Sequence, residues 1–195
     1  MNVDTSIQFV REVKTWVVPN EKYVLQEFEI WHLNHLVHAI EKNLLPFVGN
    51  RKYILIKFPV NEFPSMVSMT FYKLQLMGYV PVIADAERNT EIKRNPNKLY
   101  KIVTNGALIQ INASSVTGGN GRALRKFVLK LCKHNLVHFV SSDTEHLGKR
   151  SLLIKSAYAY LQRKISIDYV KYLKENAKHI IEGTDFHIRQ PAIFK

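Results

Sequence analysis

The stretch PVIADAERNTEI, residues 81–92, runs from apolar and small residues straight into Asp85, Glu87 and Arg88. A buried strand that ends in two carboxylates and a guanidinium reads as an active site, a used-up active site or simply a polar loop, and what the other strands end in decides among them. The other apolar runs end similarly, in Glu27 and Glu29, in Lys57, in Asn112, and in Asp143 with Glu145 and His146. Loops are polar in any case, so composition accounts for one or two such ends. Charged groups recurring at the ends of several strands point to a shared site, because loops converge where the strands of a parallel β/α fold terminate.

The elements that must position these groups follow from periodicity. Short runs rich in Val, Ile, Tyr and Phe are predicted as strands at 22–28, 52–58, 79–84, 107–112 and 136–142. Amphipathic stretches between them are predicted as helices at 4–17, 33–44, 64–77, 97–105 and 119–134, and two more close the chain near 150–164 and 167–182. Strands this apolar, alternating with helices, imply an α/β fold with a mostly parallel sheet and helices outside. With 195 residues and no linker, repeat or low-complexity segment, residues 1–195 read as a single domain.

The balance of 28 basic against 16 acidic residues gives a net charge of +12, which attracts polyanions without choosing among nucleic acid, anionic lipid and phosphorylated protein. No apolar run has the roughly 20 residues of a membrane span, and the opening MNVDTSIQFVREVK lacks the order of a secretory signal. A cytoplasmic location is expected. The single Cys132, in apolar VLKLCKHNLVHFV, builds no disulfide framework and reads as a buried structural residue.

KYILIKFP (52–59), LQLMGYVPVIADAERN (74–89), NLVHFVSSD (135–143) and KRSLLIKSAYAYL (149–161) together resemble the manganese-dependent protein-tyrosine phosphatases of Gram-positive capsule and exopolysaccharide operons. These are members of the polymerase-and-histidinol-phosphatase superfamily, and the likeness runs from about residue 20 to the C-terminus. It implies a distorted β/α barrel in which a metal cluster at the strand ends activates a water for phosphomonoester hydrolysis.

Position by position, the resemblance implies a degenerate, N-terminally truncated member. The family's His-x-His strand and a histidine after its second strand find no counterpart, which leaves the barrel incomplete. Glu29 and Asp143 match carboxylate ligands. Asp85 replaces the histidine of a His-Pro-Glu-Arg motif, Ala86 its proline, and Glu145 a histidine ligand. Lys57 stands where the family has a metal-bridging glutamate, and Arg88 and Arg150 match its phosphate-binding arginines. An ammonium among ligands supplies the charge that a metal would bring, so Lys57 is expected within ion-pair distance of Glu29, Asp85 or Asp143. Arg88 either stays poised for phosphate or simply pairs with Glu87 or Asp85.

The resulting expectation is a protein without hydrolytic activity or bound cofactor that recognises a phosphorylated or acidic partner, such as the tyrosine-rich tail of a bacterial kinase. The alternatives are an active manganese enzyme with a rebuilt carboxylate site, a basic nucleic-acid-binding module, and a decayed remnant. A homo-oligomer is also compatible, since a sheet with open edges needs covering.

Three further signals carry bland readings beside sharp ones. His32, His35 and His38 share a helical spacing that can hold zinc, or mark a solvated helix face. TGGNGR (117–122) precedes a helix and reads as an anion site or a glycine turn. In the following helix Leu124, Phe127, Val128 and Leu131 should face the core. Arg122, Lys126, Lys130 and Lys133 then form a stripe able to track a phosphate backbone, or merely solvated.

Overall fold

The computed structural model describes residues 13–18, 21–29, 33–42, 52–142 and 147–194. Among the described residues six strands form one sheet in sequence order: β1 (Val13–Val18), β2 (Glu21–Glu29), β3 (Tyr53–Lys57), β4 (Val80–Ala84), β5 (Leu108–Asn112) and β6 (Phe139–Ser141). The β2–β6 run is parallel throughout, and β1 joins it antiparallel, with Val18 opposite Glu21. The helices are α1 (Leu33–Glu41), α2 (Val67–Leu76), α3 (Thr90–Arg94), α4 (Asn97–Thr104), α5 (Ala113–Thr117), α6 (Arg122–Lys133), α7 (Leu147–Lys164) and α8 (Ile167–Glu182). α8 lies against β6 at one edge of the sheet and against β1 at the other, so the sheet wraps around this helix.

One expectation is corrected. Residues 13–17 belong to a strand and not to the predicted helix, and residues 4–12 lie outside the described residues. VKTWVV is dominated by β-branched and aromatic residues, which lose rotamer freedom in a helix and gain packing on a pleated surface. The helical periodicity read across 4–17 was overridden by that local preference and by pairing with β2.

Each strand sends alternate residues to opposite faces. Ile54, Ile56, Ile83, Ile109 and Ile111 pack outward beneath the helices, with Leu74, Leu99 and Leu131 among the residues that meet them. The other face is apolar at its lower end, where Tyr53, Leu55, Val82, Leu108 and Phe139 meet Ala177 and Ile180 of α8. A segment after α8 closes this end. The Tyr53 hydroxyl donates to the Thr184 carbonyl at 2.7 Å, and Phe186 stacks on Tyr53 and meets Phe139 edge-on. Further up the same face the residues become polar: Lys57, Gln110, Asn112 and Ser141. The core therefore leaves one end of this face available for charge.

α6 follows its amphipathic reading. Val128, Leu131 and Cys132 are buried, Leu124 and Phe127 are half-buried, and Arg122, Lys126, Lys130 and Lys133 are exposed. Burial pushes the Cys132 thiol up to about 12, so it stays protonated and inert. His38 is exposed on α1, whereas His32 lies outside the described residues. The glycine turn is tied to α5. Gly118 ends that helix with φ 96°, and the Gly119 N–H donates to the Ser114 carbonyl at 2.9 Å.

His138, just before β6, is fully buried, and its Nδ1 accepts the Ile109 N–H at 3.0 Å. That bond puts the ring proton on Nε2, which has no hydrogen-bond partner among the described residues. Burial pushes His138 down to about 3, so the native ring is neutral. The unfolded chain takes up a proton below pH 6.5 that the native state refuses, so this group's contribution to stability is lost as pH falls from about 6.5 towards about 3. In urea unfolding, wild type should lose about 2 kcal/mol more than His138→Asn on going from pH 6.5 to about 4.5. Equal losses in the two proteins would exclude a neutral native His138.

Candidate functional site

The site is built on the polar end of the α8-facing surface, where the parallel register lines up the strand ends. Glu29 is the register partner of Lys57, and Lys57 is the partner of Ala84, one residue before Asp85. β4 stops because Asp85 takes the left-handed conformation, φ 49° and ψ 35°, which a short polar residue tolerates better than most. The reversal starts a single 3-10 turn over Ala86–Arg88, closed by the Arg88 N–H donating to the Asp85 carbonyl at 2.9 Å. Asn89 then caps α3 through the Ile92 N–H, while its amide donates to the Pro59 and Glu62 carbonyls. The connection after β4 is thereby pinned to the one after β3.

Asp85 is buried and surrounded by partners of definite sign. Its Oδ2 lies 3.3 Å from Lys57 Nζ and 3.5 Å from the Arg88 guanidinium. Oδ1 accepts from Asn112 Nδ2 at 3.4 Å, and the backbone N–H donates to Gln110 Oε1 at 2.9 Å. Gln110 is fixed in turn by donating its amide to the Ser141 hydroxyl. The Arg88 guanidinium also reaches Ser114 Oγ at 3.4 Å, and Ser114 is held by Asn112 Oδ1 and by the Asn120 amide. Lys57 and Arg88 keep part of their surface in solvent, 24% and 31% of the side chain, whereas Asp85 keeps 4%. Two cations therefore face outward over a carboxylate that cannot leave.

Glu87 turns the other way. It is fully buried, and its Oε1 accepts the Asn112 N–H at 3.0 Å, which locks the turn after β4 to the end of β5. Loss of hydration and the nearby Asp85 charge raise its carboxyl from 4.5 to about 7. Arg88 thus pairs with Asp85, and Glu87 serves the backbone.

Of the residues singled out by sequence, the structure brings Lys57, Asp85 and Arg88 together and sets Glu29 beside Lys57 along the backbone. Asp143 and Glu145 lie outside the described residues, and Arg150 is placed only as a backbone position in α7. Gln110 and Ser114 are not among the site residues that the sequence points to, and Asn112 stands there only as a strand end. The polar alternation in LIQIN was the available signal, because Gln110 and Asn112 share a face of β5.

A divalent cation requires several hard donors converging with free lone pairs. Among the described residues no three His, Cys, Asp or Glu side chains converge in that way, and the carboxylate best placed to ligate already faces two cations. The described residues do not fit a metal.

The raised Glu87 carboxyl makes a prediction of opposite sign to that of His138. The native state keeps a proton that the unfolded chain releases above pH 4.5, so the stability this group contributes is lost as pH rises from 4.5 through about 7. Glu87→Gln keeps the acceptor for Asn112 and cannot ionise. Wild type should lose about 3 kcal/mol relative to this variant across that window, read by chemical denaturation. Parallel stability profiles would show that Glu87 is ionised in the native protein.

Residues 4–182 match the family described as capsular polysaccharide synthesis, CpsB/CapC. Tyrosine-protein phosphatase YwqE of Bacillus subtilis is 37% identical over 169 residues, covering 87% of this chain and 66% of that protein. CapC of Staphylococcus aureus is 35% identical over 159 residues, covering 82% and 62%. The chain thus spans about two thirds of the length of these curated relatives. A structure from the crystallographic work on YwqE and on CpsB of Streptococcus pneumoniae, described there as metal-dependent tyrosine phosphatases, superposes with a TM-score of 0.78. It is 35% identical in sequence, and the match covers 87% of this chain and 68% of that one. Likeness in both sequence and fold, carried through the strands whose ends hold Glu29, Lys57 and Asp85, makes this chain a member of the CpsB/CapC capsular polysaccharide synthesis family.

Proposed function

We propose that this chain recognises phosphorylated tyrosine, or an acidic segment such as a bacterial kinase tail, without hydrolysing it. The observation that carries the reading is the placement of Lys57 and Arg88 around one buried oxygen of Asp85, with both cations part-exposed. Hydrolysis of a phosphomonoester by a metal enzyme needs the ion to lower the pKa of a bound water and to neutralise charge on the phosphoryl group. Lys57 and Arg88 supply the second of these and not the first. A phosphate dianion reaching the rim finds a point charge and a planar fork, the two donor types that hold phosphate through charge-assisted hydrogen bonds. Gln110 and Asn112 keep Asp85 in place and so limit how far the two cations can be drawn off.

A second reading is an active manganese-dependent tyrosine phosphatase acting in capsule or exopolysaccharide regulation, with Glu29, Asp85, Asp143 and Glu145 as its ligands. The 37% identity to YwqE, a named tyrosine phosphatase, favours it.

One pair of assays separates the two. Under the first reading, p-nitrophenyl phosphate is hydrolysed no faster with manganese than without. A phosphotyrosine peptide binds more tightly than its unphosphorylated form, and Arg88→Ala weakens that binding about tenfold, the size of one charge-assisted bond. A manganese-dependent rate abolished by Asp143→Ala would establish the second reading instead.

A further inference from the structure

Helix α2 departs from the pattern of the other outer helices. Its inward face, Val67, Phe71 and Leu74, is buried as expected. Its outward face is also apolar, with Met69, Tyr72 and Leu76 exposed at 56%, 61% and 70%. Their i, i+3, i+7 spacing stacks them into one ridge, and Met66 and Met77 extend it at the two ends. Five of the nine large exposed apolar side chains among the described residues lie on this ridge, while the other four are scattered. Scattered apolar residues are normal on a surface, whereas a contiguous patch marks an interaction. α6 makes the contrast, since lysines and arginine occupy its outward face.

Two hollows flank the ridge. One of about 460 Å³ lies towards α4, lined by Phe71, Tyr72, Gln75, Ile102 and Asn105. The other, about 240 Å³, lies towards α1 and includes Glu41, Met66, Met69 and Lys73. A ridge beside grooves suits a two-fold contact, in which the ridge of each subunit enters a groove of the other.

Charge narrows the occupant. In a chain that is 23% charged, Lys73 is the only charged residue of α2. Low charge with Met and Tyr enrichment is the composition of an interface core. Lys73 and Glu41, opposite in sign, both line the α1 hollow. An acidic partner would meet Glu41 as a like charge, and a basic one would meet Lys73. A second copy related by a two-fold axis brings Lys73 to Glu41 and Glu41 to Lys73.

We propose that the outward face of α2 is a symmetric interface between two copies of this chain. The proposal is independent of what the Lys57, Asp85 and Arg88 site does. Because each copy carries a net charge of +12, repulsion opposes association at low ionic strength. The dimer should therefore tighten, not dissociate, as salt is raised.

Sedimentation velocity on the full chain over about a hundredfold range of concentration is the test. Wild type should pass from monomer to dimer, and Met69→Glu should stay monomeric with unchanged circular dichroism and the melting temperature of dilute, monomeric wild type, since the side chain is exposed. Lys73→Glu should raise the dissociation constant about tenfold by setting like charges together, and adding Glu41→Lys to the same chain should restore it. A wild-type protein monomeric at every concentration would overturn the proposal and leave the face to a different macromolecule. A dimer indifferent to Met69→Glu would place the interface elsewhere and overturn it equally.

Discussion

The Asp85 carboxylate, buried at a strand end and held between two cations, is the constraint around which the described site is arranged. Its left-handed backbone ends β4 and sends Arg88 back over the carboxylate. The parallel register of β3 and β4 brings Lys57 alongside from the neighbouring strand. At an effective dielectric near 20, charges about 3.3 Å apart attract by about 5 kcal/mol before desolvation is subtracted. Burying the carboxylate costs several kcal/mol, so two cations offset more of that cost than either does alone.

The polar layer around Asp85 extends the same balance. Gln110 and Asn112, alternating on β5, hydrogen-bond to its backbone and side chain, and the Asn112 N–H engages Glu87. Three adjacent acidic and basic residues thereby take three different environments. Asp85 is buried and counter-charged, Arg88 is half-exposed, and Glu87 is buried where its protonated form is favoured. His138, further along the sheet, is buried as a neutral ring. Glu87 and His138 act in opposite directions with pH, so the fold is squeezed from both the acid and the neutral side by two groups that hold backbone together.

Much of this architecture could be read from the sequence. The five parallel strands and their order follow from apolar runs bounded by turn residues, and the convergence of Lys57, Asp85 and Arg88 follows from the rule that parallel strand ends share one rim. Residues 13–17 could not be read, because Val13, Trp16 and Val17 fit a helical stripe as well as a strand until β2 is available for pairing. Glu87 shows a different limit. Its position beside Asp85 is plain in the sequence, but its turn inward depends on the sharp reversal at Asp85, a backbone angle that residue types alone do not specify. The α2 ridge was hidden because a helix apolar on both faces reads, by periodicity, as simply buried.

Lys57 pairs directly with Asp85 and so puts positive charge at this strand end, which under the proposed function stands in place of a metal ion. A double-mutant cycle on unfolding free energy tests it, using Lys57→Met, Asp85→Asn and the double variant, with Asn chosen because it tolerates the left-handed backbone at this position. Direct pairing of a part-buried lysine with a buried carboxylate predicts a coupling of about 1.5 kcal/mol or more, above the range of about 0.2 to 1 kcal/mol measured for exposed pairs. A coupling within about 0.3 kcal/mol of zero would mean that the two side chains merely lie close and that Lys57 does not counter the buried Asp85 charge.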